Sequence, residues 1–469
     1  MDALLLGLTG NPSAPLEVLV RLASADIDVS RLARRLDLPE DAAAVLARDQ
    51  RTWVRQELAA HPCLPAHVQA VLALDTADGV RARLAGGEEF FTTVGVHGRL
   101  LPAPLDRSVY ELLARDREPK VRRALGFNHG LPDDLRAGLL DDPDPRVAAI
   151  AAAEWAEPPV ERIEGLLART GAFARQLMLR RLNHPLPARL ARSMLTDLDT
   201  RPPNASTQAL VCEIARSAEL DSELIARFLT ADDTRAGLAA NAGLPAEAVE
   251  ALATDTGNAV RASVAERRGL DPSLRESIPV QYEDGSSRAV DWVRTAPLTH
   301  AEQLVLARSR HQILRKSLTL RDDLSDEVIE VLARDESFAV RLFICERQPN
   351  APGWLLAQTA ATWKSYSRWD MLAHKNFPAD AAIAIASSPD PHDRVVAAAH
   401  PGLAPGLIDT LLGDSDAHVR RRAATNPSIP APRLLTLLED NDDYLATGAA
   451  ANPTLPTSVM HTILEQAGL

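Results

Sequence analysis

A pattern of about 26 residues returns along nearly the whole chain, most cleanly in its last quarter: His400-Pro401-Gly402-Leu403, Asn426-Pro427-Ser428-Ile429 and Asn452-Pro453-Thr454-Leu455. Self-similarity at such a period means that each copy is one supersecondary unit unable to bury its apolar face alone, so neighbours must stack into a continuous core. A chain of 469 residues would otherwise suggest about three domains. A stack grows in one dimension and escapes that limit.

The register can be followed through the residue after the Leu or Ile that succeeds the Asn-Pro or His-Pro pair. It is often proline, as at Pro39, Pro65, Pro132, Pro245, Pro378, Pro430 and Pro456, and it marks about 17 units with a first one at Pro15. An apolar run with helical spacing follows, such as Val68, Val71 and Leu72, or Leu407, Ile408, Leu411 and Leu412. This is helix A. After a short acidic turn comes a second, shorter run, Val54 to Ala60 or Val419 to Ala424. It is too short to stand alone but long enough when packed, and we call it helix B. Helix B ends in Asn or His, as at His61, Asn128, Asn241, Asn426 and Asn452, and Asn is expected there for its tolerance of the left-handed conformation.

The most regular polar feature is an Asp and an Arg six residues apart across the A-to-B turn: Asp49 and Arg55, Asp75 and Arg81, Asp116 and Arg122, Asp255 and Arg261, Asp335 and Arg341, Asp414 and Arg420. Arg31, Arg175, Arg315, Arg368 and Arg394 hold the same place without an acid six residues before. A catalytic centre needs one unusual constellation, whereas a pair repeated down the chain reads as a structural ladder of charge-assisted hydrogen bonds.

The string Asp-x5-Arg, small residues, Asn-Pro-x-x-Pro and a Leu-rich helix resembles the bacterial variant leucine-rich repeat proteins, and the Asp and Arg placement is also similar to HEAT repeats. The resemblance is strong over residues 37 to 85, 241 to 265 and 374 to 466. It implies an all-α, right-handed solenoid of two-helix repeats over residues 1–469 as one elongated body, with helix B partly 3-10 and residues 452–469 as a C-terminal capping half-repeat. Members of the variant family can carry an N-terminal iron-sulfur module. The clustered cysteines of that module are missing here, so no cofactor is carried over.

Three stretches break the period. Residues 86–101 form an insertion carrying Phe90, Phe91 and His97; residues 194–216 read as an irregular repeat with an extra helix from Ala205 to Ser217; residues 278–287 read as a turn-rich surface loop. The unit opened by Pro352 is unusually aromatic, with Trp354, Trp363, Tyr366 and Trp369 beside Lys364 and Arg368. Trp369 follows the ladder Arg, a place held elsewhere by Gln56, Arg123, Lys316 and Arg421, and is expected on the exposed helix-B face; Trp354 is expected in the core. Candidate binding residues are therefore Phe90, Phe91, Arg123, Lys316, Tyr366, Trp369 and Arg421.

The chain is acidic, with a net charge of −13, yet about half of its Lys and Arg fall in helix B. Acids gather in helix A and the turns. There is no phosphate-binding glycine loop, nucleophile elbow, zinc-protease motif or Cys-x-x-Cys, and no metal-ligand spacing. The three cysteines, Cys63, Cys212 and Cys345, lie far apart, and Cys345 replaces a small helix-B residue as a buried thiol. Met1-Asp2-Ala3-Leu4 carries an acid where a signal peptide has bases, and no apolar stretch has the length to cross a bilayer, so a cytoplasmic protein is expected. The leading expectation is a non-enzymatic scaffold whose concave helix-B face binds a protein or peptide. A DNA-glycosylase-like HEAT solenoid is the alternative, against which the net acidity argues, and an accessory subunit of a modifying enzyme is a third.

Overall fold

The computed structural model describes residues 1–86, 104–155, 160–181, 185–200, 202, 204–282, 288–365, 367–372 and 374–469. These residues are all-helical: 34 α-helices alternate between the two types, and no strand forms among them. Phe90, Phe91, His97 and Tyr366 lie outside the described residues, as does most of the 86–101 insertion. So does the side chain of Trp369.

Each helix A opens where the period placed its marker residue. Pro65 (φ −60°, ψ 148°), Pro245 (φ −58°, ψ 146°) and Pro456 (φ −62°, ψ 137°) stand at the N-cap, in the extended conformation that proline favours. The helix then buries one stripe, Val68, Leu72 and Ala73 in one repeat and Ile408, Leu411 and Leu412 in another. Most second helices run about two turns and are α-helical, including Thr52–Ala59, Asn258–Ala265 and Ala417–Ala424. The 3-10 turn Ile385–Ser387 instead continues a first helix. Ala205–Ser217 is no extra helix: it is the second helix of its own repeat, lengthened to 13 residues, and it packs between its neighbours Ala172–Arg181 and Asp232–Ala240.

Second helices approach each other closely because small residues line the contact. A Cβ added to Gly237 would overlap the Cys212 carbonyl oxygen, and one added to Gly448 would overlap that of Arg421. Cys345 is buried in this layer.

Asparagine does a different job from the one its backbone preference suggests. No described non-glycine residue has a positive φ, and Asn241 is extended (φ −69°, ψ 121°). Its Nδ2 donates to the carbonyls of Ala215 (2.8 Å) and Ala218 (2.9 Å) in the preceding repeat, while its Oδ1 accepts from Gly243 N–H (2.8 Å). Asn426 bridges Ala398 and His400 in the same way, and Asn452 bridges Ala424 and Asn426. A helix leaves its last carbonyls without intrahelical partners, and here the next repeat supplies the donor. Gln348, Arg267 and Arg321 serve as longer substitutes.

The Asp and Arg of the turns pair between repeats. Arg315 Nη1 donates to the Ser309 carbonyl six residues back (2.7 Å), and its Nε reaches forward to Asp335 Oδ2 (2.6 Å). Arg81 reaches Asp116 likewise (2.6 Å), Arg235 reaches Asp255 (2.9 Å), Arg394 reaches Asp414 (2.7 Å) and Arg420 reaches Asp442 (2.6 Å). The same carboxylate closes its own turn, as Asp335 Oδ1 does with Ser337 N–H (2.8 Å). Asp49, Asp75, Arg55, Arg122, Arg261 and Arg341 take part in this scheme through either the forward pair or the backward carbonyl. The Arg394 guanidinium holds the Asp414 carboxyl below its ordinary range.

The chain groups into two compact units, Leu125–Ala351 and Met1–Ala124 with Pro352–Leu469. In the second of these the two ends of the chain meet. Asp2–Thr9 takes the place of a second helix, and Thr457–Gln466 that of a first helix. Asp2–Thr9 packs on Asp443–Ala450 as one second helix packs on the next, and Leu16–Ala23 packs on Thr457–Gln466. Asn11 Nδ2 donates to the carbonyls of Ala450 and Asn452 (both 2.8 Å), and a Cβ on Gly7 would overlap the Thr447 carbonyl oxygen. Residues 452–469 therefore pack against residues from the beginning of the sequence.

Candidate functional site

The helix-B layer of the unit holding both chain ends contains a recess of about 470 Å³. Its floor is Gly10, Pro12, Ala451 and Pro453, just beyond the ends of second helices, with Thr447 and Gly448 from within Asp443–Ala450. Arg31, Arg421 and Arg422 rise from it. A second recess of about 450 Å³ adjoins it and shares Arg421 and Arg422, with His392, His418 and Asp416 on its far side.

These three guanidiniums differ from the ladder arginines. Among the described residues none of them forms an ion pair with a carboxylate, although the Ser30 N–H and, after it, the charge of Arg31 help to hold the Asp28 carboxyl below its ordinary range. Arg31 occupies the ladder position, but the acid it would reach, Asp49, is taken by Arg51 through two bonds (2.9 and 2.7 Å). Arg421 and Arg422 follow the ladder residue Arg420, which takes Asp442. Burial pushes the Arg421 guanidinium below its usual range, and the like charges of Arg31 and Arg422 add to this; burial does the same to Arg422. Arg421 is half-buried, whereas Arg422 and Arg31 are exposed at their outer ends. Asp416 is occupied at its own helix N-terminus by the N–H groups of His418 (2.8 Å) and Val419 (3.2 Å).

The other candidates are dispersed. Lys316 is buried at 4 % exposure, its ammonium 5.6 Å from the Phe343 ring centre, and it lines a smaller recess of about 210 Å³ in the other unit with Tyr282 and Arg288. Arg123 is half-exposed on Pro119–Gly126. Trp354 is 43 % exposed, because the buried stripe of Gly353–Thr362 passes through Leu355, Leu356, Thr359 and Ala360 and leaves the first turn outside it. Trp363, half-buried, donates from Nε1 to the buried hydroxyl of Ser367 (2.9 Å). The sequence reading singled out Arg421 but missed the roles of Arg422 and Arg31. The signal for Arg31 was present: the ladder place is filled, Ala25 stands six residues before it, and Arg51 follows the next acid, Asp49, by two residues.

Beside the smaller recess, Glu266 is paired with Arg288, while its Oε1 is buried without a partner. Desolvation pushes its carboxyl up to about 7, against the opposing pull of a half-exposed Arg288. A carboxyl raised in the folded state binds a proton that the unfolded chain has lost, so stability falls as pH rises from the ordinary Glu value to about 7 and is level above it. Glu266→Gln is expected to remove that slope, gaining roughly 1–3 kcal/mol on the wild type between pH 5 and pH 8. Urea denaturation of both proteins across this range checks it; parallel curves would refute it.

Among the described residues no group of His, Cys, Asp and Glu is arranged to hold a metal ion, and no helix is long and apolar enough to cross a membrane. No family model matches the chain, and no curated protein does. Among solved structures it is similar to the karyopherin Kap121p bound to the extreme C-terminus of the protein phosphatase Cdc14p, with 12 % identity over 96 % of this chain and 50 % of that one, at a TM-score of 0.24. The chain thus spans half the length of that karyopherin.

Proposed function

We propose that the protein is a non-enzymatic scaffold that binds an acidic segment of another protein in the recess around Arg31, Arg421 and Arg422. One observation carries this reading: three guanidiniums that form no ion pair among the described residues share one recess, in a layer where the ladder arginines pair with aspartates. A cation kept from full hydration and beside its like gains more from an incoming carboxylate than a ladder arginine, and guanidinium suits carboxylate geometry. The acid-rich remainder of the surface disfavours anions elsewhere, so specificity comes from position. Kinship with the bacterial variant leucine-rich repeat proteins and a cytoplasmic location belong to the same reading.

The test is fluorescence anisotropy with labelled octaglutamate. Binding is expected at low salt and should weaken steeply with added salt. The double variant Arg421→Glu, Arg422→Glu should bind at least tenfold more weakly, about 1.4 kcal/mol or more. Equal binding by the variant, or tighter binding of duplex DNA than of octaglutamate, would overturn the proposal.

A further inference from the structure

The recess is built from both ends of the chain. Gly10, Pro12 and Arg31 come from its beginning; Arg421, Arg422 and the rest of the floor come from its end. No disulfide bond joins these parts. The seam between them consists of Leu5 and Leu8 packed in the core, the Asn11 bridge to Ala450 and Asn452, the bond of Arg21 to the Leu469 carbonyl, and His461 with Glu17 (3.3 Å). Docking across this seam also brings the like charges of Arg31 and Arg421 into one recess. That repulsion opposes docking, whereas the Asn11 bridge favours it.

We infer that occupation of the recess by an acidic peptide is coupled to docking of the chain's first repeat on its last, the peptide's carboxylates bridging Arg31 to Arg421 and Arg422. This rests on the acidic-segment reading above and adds its regulation. Undocking removes Arg31 and part of the floor, so the open form binds weakly. A ligand that prefers the docked form must, by the same free energy, strengthen docking. The scaffold would thus hold its partner and its own ends together in one event, and anything that competes for the seam would release the partner.

The experiment uses the full chain and octaglutamate. Gly7→Val places side-chain atoms against the Thr447 carbonyl and Asn11→Ala deletes the bridge; neither residue lines the arginine side of the recess. Each is expected to weaken octaglutamate binding about tenfold while the circular dichroism of the helices is retained. In the wild type, saturating octaglutamate should slow hydrogen exchange of the Asp2–Thr9 amides at least severalfold and leave Asn258–Ala265, in the other unit, unchanged. If the Arg421→Glu, Arg422→Glu variant loses binding but exchange in Asp2–Thr9 is unmoved and both seam variants bind like the wild type, the coupling is refuted and the binding site stands. If the wild type does not bind octaglutamate, both fall.

Discussion

Asp335→Ala should destabilise its unit by about 3–5 kcal/mol, the scale for removing one member of a buried ion pair. Arg315 and Asp335 are 7 % and 4 % exposed at their side chains, so the guanidinium left behind has little access to water. The carboxylate also closes the turn at Ser337 N–H, which loses its acceptor. Replacing both partners by apolar residues of similar size is expected to cost much less, since no charge is then stranded. Chemical denaturation of the single and double variants separates the two contributions. A single-variant loss below about 1 kcal/mol, typical of surface pairs, would show that the pair is hydrated in solution.

Asn452→Ala is expected to cost about 2–5 kcal/mol, because two buried carbonyls, of Ala424 and Asn426, lose their donor, at roughly 1–3 kcal/mol for each unsatisfied group. The Thr454 N–H loses its acceptor as well. Asn452→Gln tests the geometry: Gln348 performs the same task in another repeat, so a Gln should restore part of the loss. Hydrogen exchange of the Ala417–Ala424 amides should accelerate in the Ala variant and recover in the Gln variant. A neutral Ala variant would show that water can replace the bridge.

Much of the architecture was legible from the sequence because a repeat reports itself many times over. The marker prolines open helix A, the short apolar runs make helix B, and repetition argues for structure over catalysis at the Asp and Arg positions. What was not legible depends on contacts between repeats. The spacing of Asp49 and Arg55 suggests a pair within one turn, but only packing shows that Arg55 binds its own turn by a backbone carbonyl and gives its charge to Asp75 (2.5 Å). The Asn at the end of helix B looks like a backbone choice in one dimension and is a side-chain bridge in three. That the last first helix finds its partner at the opposite end of the chain is invisible to any local window. Of the candidate binding residues, Arg421 lines the recess; Lys316 lies buried in the other unit; Phe90, Phe91, Tyr366 and the Trp369 side chain lie outside what is described.

The forward pairing of arginine with the following aspartate has a practical corollary for protein engineering. A cassette cut at mid-helix A carries its own cation outward and expects an anion from whatever is spliced after it. Junctions downstream of Arg81, Arg235, Arg315 or Arg394 meet that demand with any donor segment that keeps the acid. Downstream of Arg261 the contact is the Pro279 carbonyl, so a graft there inherits a bespoke joint that no consensus segment would match.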